Sequence, residues 1–432
     1  VPLGHNIIGS RWVFKVKTDG RFKGRVVGTG WSQRHGIDCG STFAPVCRID
    51  SQRLLLAIAA ANGWSVSAMD FSTAFLNGKL EEEVYMGQAP GFEKKNSRGR
   101  PFIMELHKSI YGLRQSPKAW NGTIDGDLRA LGFEPTVSDA CGSGDDDIML
   151  TLYVDDLLIT GPNSAIQLGT ISISQGPYVI SLLQKCGMFD CNVVHTPGIG
   201  NELTAEPEGS VPLDMDDTLN YQSIVGSLIF LCQCTRVDIC FAVSQAARFM
   251  SKPTSVHMGA VKRILRYLRG TPDIRITYSR NSSFELAGFC DASYGTGNPE
   301  KARSTSGSID FRDGGVIPFS PSVQKISAQF TTEAELIAMS SCAKQGIYLC
   351  GILEELGWRP FRSARIFCDN KGALLLAGQG SYSSRSKHLA IRLAGLRDWI
   401  TDDKIIIDHV STKGQLSDIL TKFLARPLFT EM

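Results

Sequence analysis

The 432-residue sequence contains no C-x-x-C pair and no His/Cys spacing of the kind that builds a zinc finger. Its 12 cysteines are scattered, the closest pairs being Cys186/Cys191 and Cys232/Cys234. Free thiols in a reducing compartment fit that scatter better than a disulfide framework does. Net charge is equally scarce: 45 Lys and Arg stand against 43 Asp and Glu, giving +2. A globally basic nucleic-acid coat is excluded, and any basic surface has to be local. No apolar run reaches the roughly 18–20 residues of a membrane span; Leu54–Ala61 and Leu228–Cys232 are core-sized. No signal peptide is evident. The chain opens on Val1, close to the structured-looking run Arg11-Trp12-Val13-Phe14-Lys15-Val16-Lys17, and reads as a piece of a longer polypeptide. Hydrophobic residues make up 43% and charged residues 20%, which supports a globular chain of two to four domains.

What is present is organised around Tyr153-Val154-Asp155-Asp156. Apolar runs flank this acidic pair, and Gly161-Pro162 closes the second run. Short apolar runs bounded by turn signals predict buried strands, so the expectation is a hairpin with two carboxylates at its tip. Adjacent carboxylates repel unless something positive binds there, and a divalent cation with oxygen ligands is one candidate. A solvated turn is the other, because Asp is common in turns.

Upstream, residues 11–29 predict a hairpin in which Trp12, Phe14 and Val16 alternate with basic residues around Asp19-Gly20. Lys15, Lys17, Arg21, Lys23 and Arg25 make it cationic. Residues 50–62 predict a helix with Leu54, Leu55, Ile58 and Ala61 at helical spacing and Gly63 as its cap. Trp64, Val66, Ala68 and Asp70 then share one face of a buried strand that ends in a carboxylate. A further helix runs to Gly132, with Ile124, Leu128 and Leu131 as its buried stripe.

Six segments occur in order: Phe43-Ala44-Pro45-Val46, Met69-Asp70, Ala74-Phe75-Leu76-Asn77-Gly78, Pro90-Gly91-Phe92, Leu113-Arg114-Gln115-Ser116-Pro117-Lys118-Ala119-Trp120 and Tyr153-Val154-Asp155-Asp156. Together they resemble the reverse transcriptase of copia-type retrotransposons. The resemblance implies a right-hand-type polymerase with fingers and palm. Asp70, Asp155 and Asp156 become the palm carboxylates that hold two Mg²⁺, with Mn²⁺ as a substitute. Arg25 becomes the fingers arginine on the incoming triphosphate, and Phe75 the aromatic that excludes a 2′ hydroxyl. Gln115 and Ser116 lie in the segment under template and nucleotide. After Gly161-Pro162-Asn163-Ser164-Ala165 the chain passes almost at once to Ile173–Tyr178. On the order of one helix and a strand pair is missing from the family pattern, so the palm is expected to be truncated.

Residues 196–218, rich in proline, glycine and acids, predict a linker. The helices expected after it resemble the family's connection region. In Val256–Gly270, Lys262, Arg263, Arg266 and Arg269 form a basic face, either solvated or tracking phosphates.

From Phe284 the pattern becomes βββαβαβα, with a strand ending at Asp291, a hairpin at Asp313-Gly314-Gly315, a helix from Thr332 to Leu356, a strand ending at Asp369, and a final helix Gln415–Leu424. Thr332-x-x-Glu335 also reads as a capping box, Asp369 as a cap and Asp418 as a surface residue. Cys290-Asp291-Ala292, Thr332-Glu333-Ala334-Glu335, Cys368-Asp369-Asn370, Lys387-His388 and Ser417–Lys422 resemble the copia-type RNase H. That resemblance makes Asp291, Glu335, Asp369 and Asp418 the ligands of a second Mg²⁺ pair.

The reading is an α/β and α+β multidomain chain: polymerase 1–195, connection 196–283, RNase H 284–432. It implies RNA-directed DNA synthesis with RNase H. Its partners would be an RNA template, a DNA primer, the RNA–DNA hybrid, deoxynucleoside triphosphates and other Gag and Pol products, and no membrane. Its location would be a cytoplasmic particle or the nucleus. The alternative is a decayed remnant with RNase H activity or nucleic-acid binding alone.

Overall fold

The computed structural model describes residues 1–2, 4–17, 20–139, 141–143, 148–162, 169–198, 200, 202–280, 285–295, 303–312, 315–358, 363–378 and 390–431. Two compact units divide the chain: Val1–Arg48 with Val66–Pro162, and Ile49–Ser65 with Asn163–Met432. These are not the sequence boundaries. The segment Ile49–Ser65 clusters with the C-terminal unit, because its helix is apolar on every side from Leu54 to Ala61 and its partners lie there. The residues at the expected deletion, 163–168, fall outside the described ones, as do Thr18, Asp19, Asp313, Gly314, Lys387 and His388.

In chain order the first unit holds β1 (Ile7–Ile8), β2 (Ser10–Val16) and β3 (Phe22–Gly28). The next helix, α1 (Ile49–Asn62), belongs to the second unit. Then follow β4 (Ser65–Asp70), β5 (Lys79–Gly87), β6 (Ile103–Lys108), α2 (Ser116–Ala130), β7 (Glu134–Pro135), β8 (Cys141–Ser143), β9 (Met149–Tyr153) and β10 (Asp156–Gly161). They form a β2-β3 ribbon, a β1-β5-β6 sheet and a five-stranded sheet ordered β4-β10-β9-β8-β7. The ribbon is the expected hairpin, yet its alternation buries no face: Phe14 is 76% exposed and Val16 59%. A two-stranded ribbon lacks a second layer, so Trp12 stacks on Phe14 at 5.7 Å instead.

β9 is buried along Met149–Leu152 because strands flank it on both sides. α2 packs Trp120 and Ile124 against Leu150, Leu152 and Leu157. Leu131, expected in that stripe, lies beyond the helix end and is 75% exposed. β4 is also less buried than its apolar pattern predicts. It is an edge strand, and Ser67–Asp70 are exposed.

The second unit adds β11 (Thr170–Ser174), α3 (Gly176–Lys185), α4 (Met215–Cys234), α5 (Cys240–Ala247), α6 (Ser255–Gly270) and β12 (Arg275–Ser279). Val179, Tyr221, Leu228, Ile239, Val261 and Leu268 form its helical core. The described part of the predicted linker before α4, which begins at Met215, is irregular but fastened. Arg263 donates to Thr196 Oγ1, and His257 Nε2 lies 2.9 Å from Thr204 O. Much of the expected basic face of α6 is likewise engaged internally, with Arg266 and Arg269 bonded to the carbonyls of Asn192 and Phe189.

The remaining elements are β13 (Ala287–Ser293), β14 (Thr305–Arg312), β15 (Gly315–Val323), α7 (Thr331–Glu355), β16 (Ala364–Cys368), α8 (Lys371–Gly378), α9 (Ala390–Thr401), β17 (Ile405–His409) and α10 (Arg426–Glu431). Their sheet runs β15-β14-β13-β16-β17, antiparallel across the first three strands and parallel across the last three. α7 packs on β13, β14 and β16. By length and composition α7 could cross a membrane, contrary to the sequence expectation, but 61% of its apolar window is buried inside the protein. The predicted final helix is instead a 3-10 turn, Leu416–Leu420, followed by α10. Gln415 donates to Cys290 O and Thr421 to Asp291 Oδ2. Both ends of that short segment are pinned to β13, which favours the tighter winding.

Candidate active sites

In the first unit β9 and β10 pair antiparallel with Tyr153 opposite Asp156, which leaves Val154 and Asp155 as the turn. Val154 takes φ +59°, a left-handed conformation that costs an L-residue roughly 1–2 kcal/mol. The Trp120 indole donates to Val154 O at 2.6 Å. Phe71 N donates to Asp155 O at 2.8 Å, which draws the end of β4, and with it Asp70, beside the turn. The Asp156 carboxyl is raised from its ordinary range by burial first, then by the charges of Asp155 and Asp70. The three expected carboxylates therefore converge, and they repel one another.

A cavity of about 740 Å³ is lined by Asp70 and Asp155 together with Lys17, Lys23, Arg25 and Tyr111. The Arg25 guanidinium stacks 4.7 Å from the Tyr111 ring centre. Tyr111 is placed by Gly112, whose φ is +92° and whose missing Cβ would lie 2.3 Å from Gly28 O. That close approach lets Gly28 N donate to Tyr111 O at 2.8 Å. Thr73 also lines the cavity, at φ +59°; strained backbone of this kind persists where surrounding structure enforces it.

Phe75 is not among the lining residues. It meets Tyr111 edge-on at 5.1 Å. Nor does the structure bring Gln115 and Ser116 to the cavity. Gln115 is buried and bonds Asp38 O and Gln33 Nε2, and Ser116 bonds Ile110 O. Sequence reasoning assigned no role to Tyr111, although it stands directly before the Gly112 that the turn requires.

In the second unit Asp291 lies on β13, Asp369 follows β16, Glu335 sits one turn into α7, and Asp418 lies in the 3-10 turn. Asp291, Glu335 and Asp418 are buried and Asp369 is half-buried. Ligand atoms of Glu335, Cys368 and Asp369 lie within 4.8 Å of one another. Burial first, then the charge of Asp291, pushes Glu335 up to about 10. Burial pushes Asp418 up to about 7 against the opposing hydrogen bond from Lys422. Lys422 Nζ lies 2.8 Å from Asp418 Oδ2 and 3.9 Å from Asp291 Oδ2.

The competing cap assignments fall to other side chains. Glu333 Oε2 accepts from Gln329 N, and Asn370 Oδ1 accepts from Ala373 N. Asp369 Oδ2 accepts from Thr412 Oγ1 at 3.1 Å. Glu335 Oε2 and Asp418 Oδ1 are buried without a hydrogen-bond partner. Orphaned carboxylate oxygens among several acids and one lysine are the donor set of a hard divalent cation. Lys422 and Thr421 went unassigned in the sequence; the i,i+4 spacing of Asp418 and Lys422 was the available signal.

Residues 1–169 match the family model described as reverse transcriptase (RNA-dependent DNA polymerase). With the acidic turn and its cavity, this defines a protein of the reverse transcriptase class. The chain is 34% identical to the retrovirus-related Pol polyprotein from transposon RE1 of Arabidopsis thaliana, over 469 aligned positions covering 99% of this chain and 31% of that one. It is 33% identical to the corresponding polyprotein from transposon TNT 1-94 of Nicotiana tabacum, across 99% of this chain and 35% of that one. The chain belongs to the copia-type retrotransposon Pol family and spans about a third of the length of these relatives. Among solved structures, the foamy viral protease-reverse transcriptase in complex with double-stranded DNA is similar at TM-score 0.46 and 12% identity, covering 94% of this chain and 78% of that one.

Proposed function

We propose that the chain is the RNA-directed DNA polymerase and RNase H portion of a copia-type element. The observation that carries this reading is the shared cavity, with Asp70 and Asp155 among its walls and Arg25, Lys17 and Lys23 as cations. Carboxylates beside a cationic cluster suit a nucleoside triphosphate and its counter-cation. Arg25, held flat by Tyr111, would take triphosphate oxygens; Lys17 and Lys23 would add unspecific positive charge. Asp70, Asp155 and Asp156 would hold Mg²⁺ in this site, and Asp291, Glu335, Asp369 and Asp418 in the other. Bound there, the cation supplies hydroxyl or water activation and neutralises charge on the transferring phosphate. Thr421 and Thr412 orient the Asp291 and Asp369 carboxylates. RNA template, DNA primer, hybrid and deoxynucleoside triphosphates are the corresponding partners, in a cytoplasmic particle.

Mg²⁺-dependent cleavage of an RNA–DNA hybrid by the purified chain, with Asp369→Asn as control, tests the second site. Cleavage lost in the control supports it, and no cleavage from folded protein rejects it. Primer extension on an RNA template, with Asp155→Asn as control, tests the first. A second reading, RNase H activity without polymerisation, is favoured by the alignment to the transposon RE1 polyprotein. It runs to 469 positions against the 432 residues here, so this chain lacks positions that its relative has. Hybrid cleavage with no primer extension would select that reading.

A further inference from the structure

The first unit carries a second cluster of ligating side chains away from the acidic turn. Cys47 and Cys141, 94 residues apart in sequence, place their sulfurs 3.7 Å apart, and both are buried. Asp139 Oδ2 lies 3.9 Å from Cys47 Sγ. The three ligand atoms all lie within 4.8 Å of one another.

We propose that Cys47, Cys141 and Asp139 form a binding site for a thiophilic divalent cation of the zinc type. Tetrahedral zinc with sulfur at about 2.3 Å requires a sulfur–sulfur separation of about 3.8 Å, and the observed spacing already meets it. A carboxylate oxygen completes a third position and water fills the fourth. The ligands are held in advance of the ion. Cys47 N donates to Leu152 O, and Cys141 pairs in register with Thr151 on β9. Arg48 N donates to Asp139 Oδ2 at 2.9 Å, which orients that carboxylate from outside the site. Thr136 closes the loop, donating from its hydroxyl to Asp139 O and from its N–H to Cys141 O. Binding balances as one divalent cation in and two thiol protons out, with no change of oxidation state. The bound ion would clamp the segment before Ile49 onto β9, the strand that leads into Tyr153-Val154-Asp155-Asp156.

The test is titration of the reduced, purified chain with Co²⁺, followed by competition with Zn²⁺. One equivalent should give thiolate-to-cobalt charge-transfer absorption that Zn²⁺ abolishes. Cys47→Ser and Cys141→Ser should each lose it, Asp139→Asn should weaken binding at least tenfold, and Cys186→Ser should leave it unchanged. Absorption that persists in both cysteine variants would overturn the proposal. Should those variants unfold, alkylation of the unaltered chain decides, mapped by mass spectrometry. Zn²⁺ should slow modification of Cys47 and Cys141 at least tenfold and leave Cys186 unprotected. Equal rates with and without Zn²⁺, or a Cys47–Cys141 disulfide in place of the ion, would sink it.

Discussion

Trp120 donates its indole N–H to the carbonyl oxygen of Val154 at 2.6 Å, and Val154 is one of three non-glycine residues described at positive φ. The strained turn is thus held by a helix rather than by its own strands alone. Trp120→Phe keeps the ring and removes the bond. It should lower unfolding stability by about 1–2 kcal/mol and reduce primer-extension kcat more than the nucleotide KM. Denaturant unfolding together with steady-state extension checks this; an unchanged midpoint and unchanged kcat would refute it.

Arg25 and Tyr111 should behave as a pair. Arg25→Lys keeps the charge but loses the planar stack, and the nucleotide KM should rise about tenfold. Tyr111→Ala should have an effect of similar size, while Tyr111→Phe should be near wild type. Extension kinetics across nucleotide concentrations separate the three variants.

Lys422, 2.8 Å from Asp418 Oδ2 and 3.9 Å from Asp291 Oδ2, would compete with a cation for these carboxylates. Lys422→Met should tighten divalent-cation binding in the second unit by roughly threefold to tenfold, since a like charge has been removed at close range. Isothermal titration with Mg²⁺ or Mn²⁺ reads this directly. Weaker binding would instead make Lys422 a support for the carboxylates.

Asp310 on β14 predicts a pH dependence. Burial pushes its carboxyl up to about 8 from an ordinary 3.8, with the nearby charge of Asp50 adding and a hydrogen bond from Cys342 opposing. The folded state therefore holds a proton that the unfolded chain releases earlier. Stability attributable to this group is complete below about 3.8 and is lost as pH rises through about 8, by at most ~1.4 kcal/mol per unit. Asp310→Asn should flatten that slope, so the gap between variant and wild type should shift in the variant's favour toward alkaline pH. Thermal unfolding from pH 5 to 9 measures it; parallel curves would contradict the assignment.

Local pattern made much of this molecule legible. Asp19-Gly20 with flanking alternation announced β2 and β3, and Leu54, Leu55 and Ile58 announced α1. The apolar runs leading to Asp291 and Asp369 announced β13 and β16 of the second sheet. What stayed hidden depended on distant partners. Gly132, at φ +89°, signals the stop of α2, yet nothing local says that Leu131 would be left exposed. Nothing in α6 says that Arg266 and Arg269 would meet the carbonyls of Asn192 and Phe189 rather than solvent. The family resemblance put Gln115 under template and nucleotide, yet its amide is used by Asp38 and Gln33. The Cys47–Cys141 approach was invisible for the same reason, with its halves 94 residues apart.

The placement of α1 bears on synthesis. Arg53 donates to the carbonyl oxygens of Gln233 and Ile317, 180 and 264 residues further along the chain. On a ribosome, α1 emerges long before either partner exists. Its apolar surface from Leu54 to Ala61 must wait, shielded by chaperones or by provisional contacts, while the intervening chain is made. The helix is therefore translated early and can be finished only late. A ribosome that stalls after residue 162 would release a first unit complete in its own elements, carrying an unburied helix as a sticky passenger.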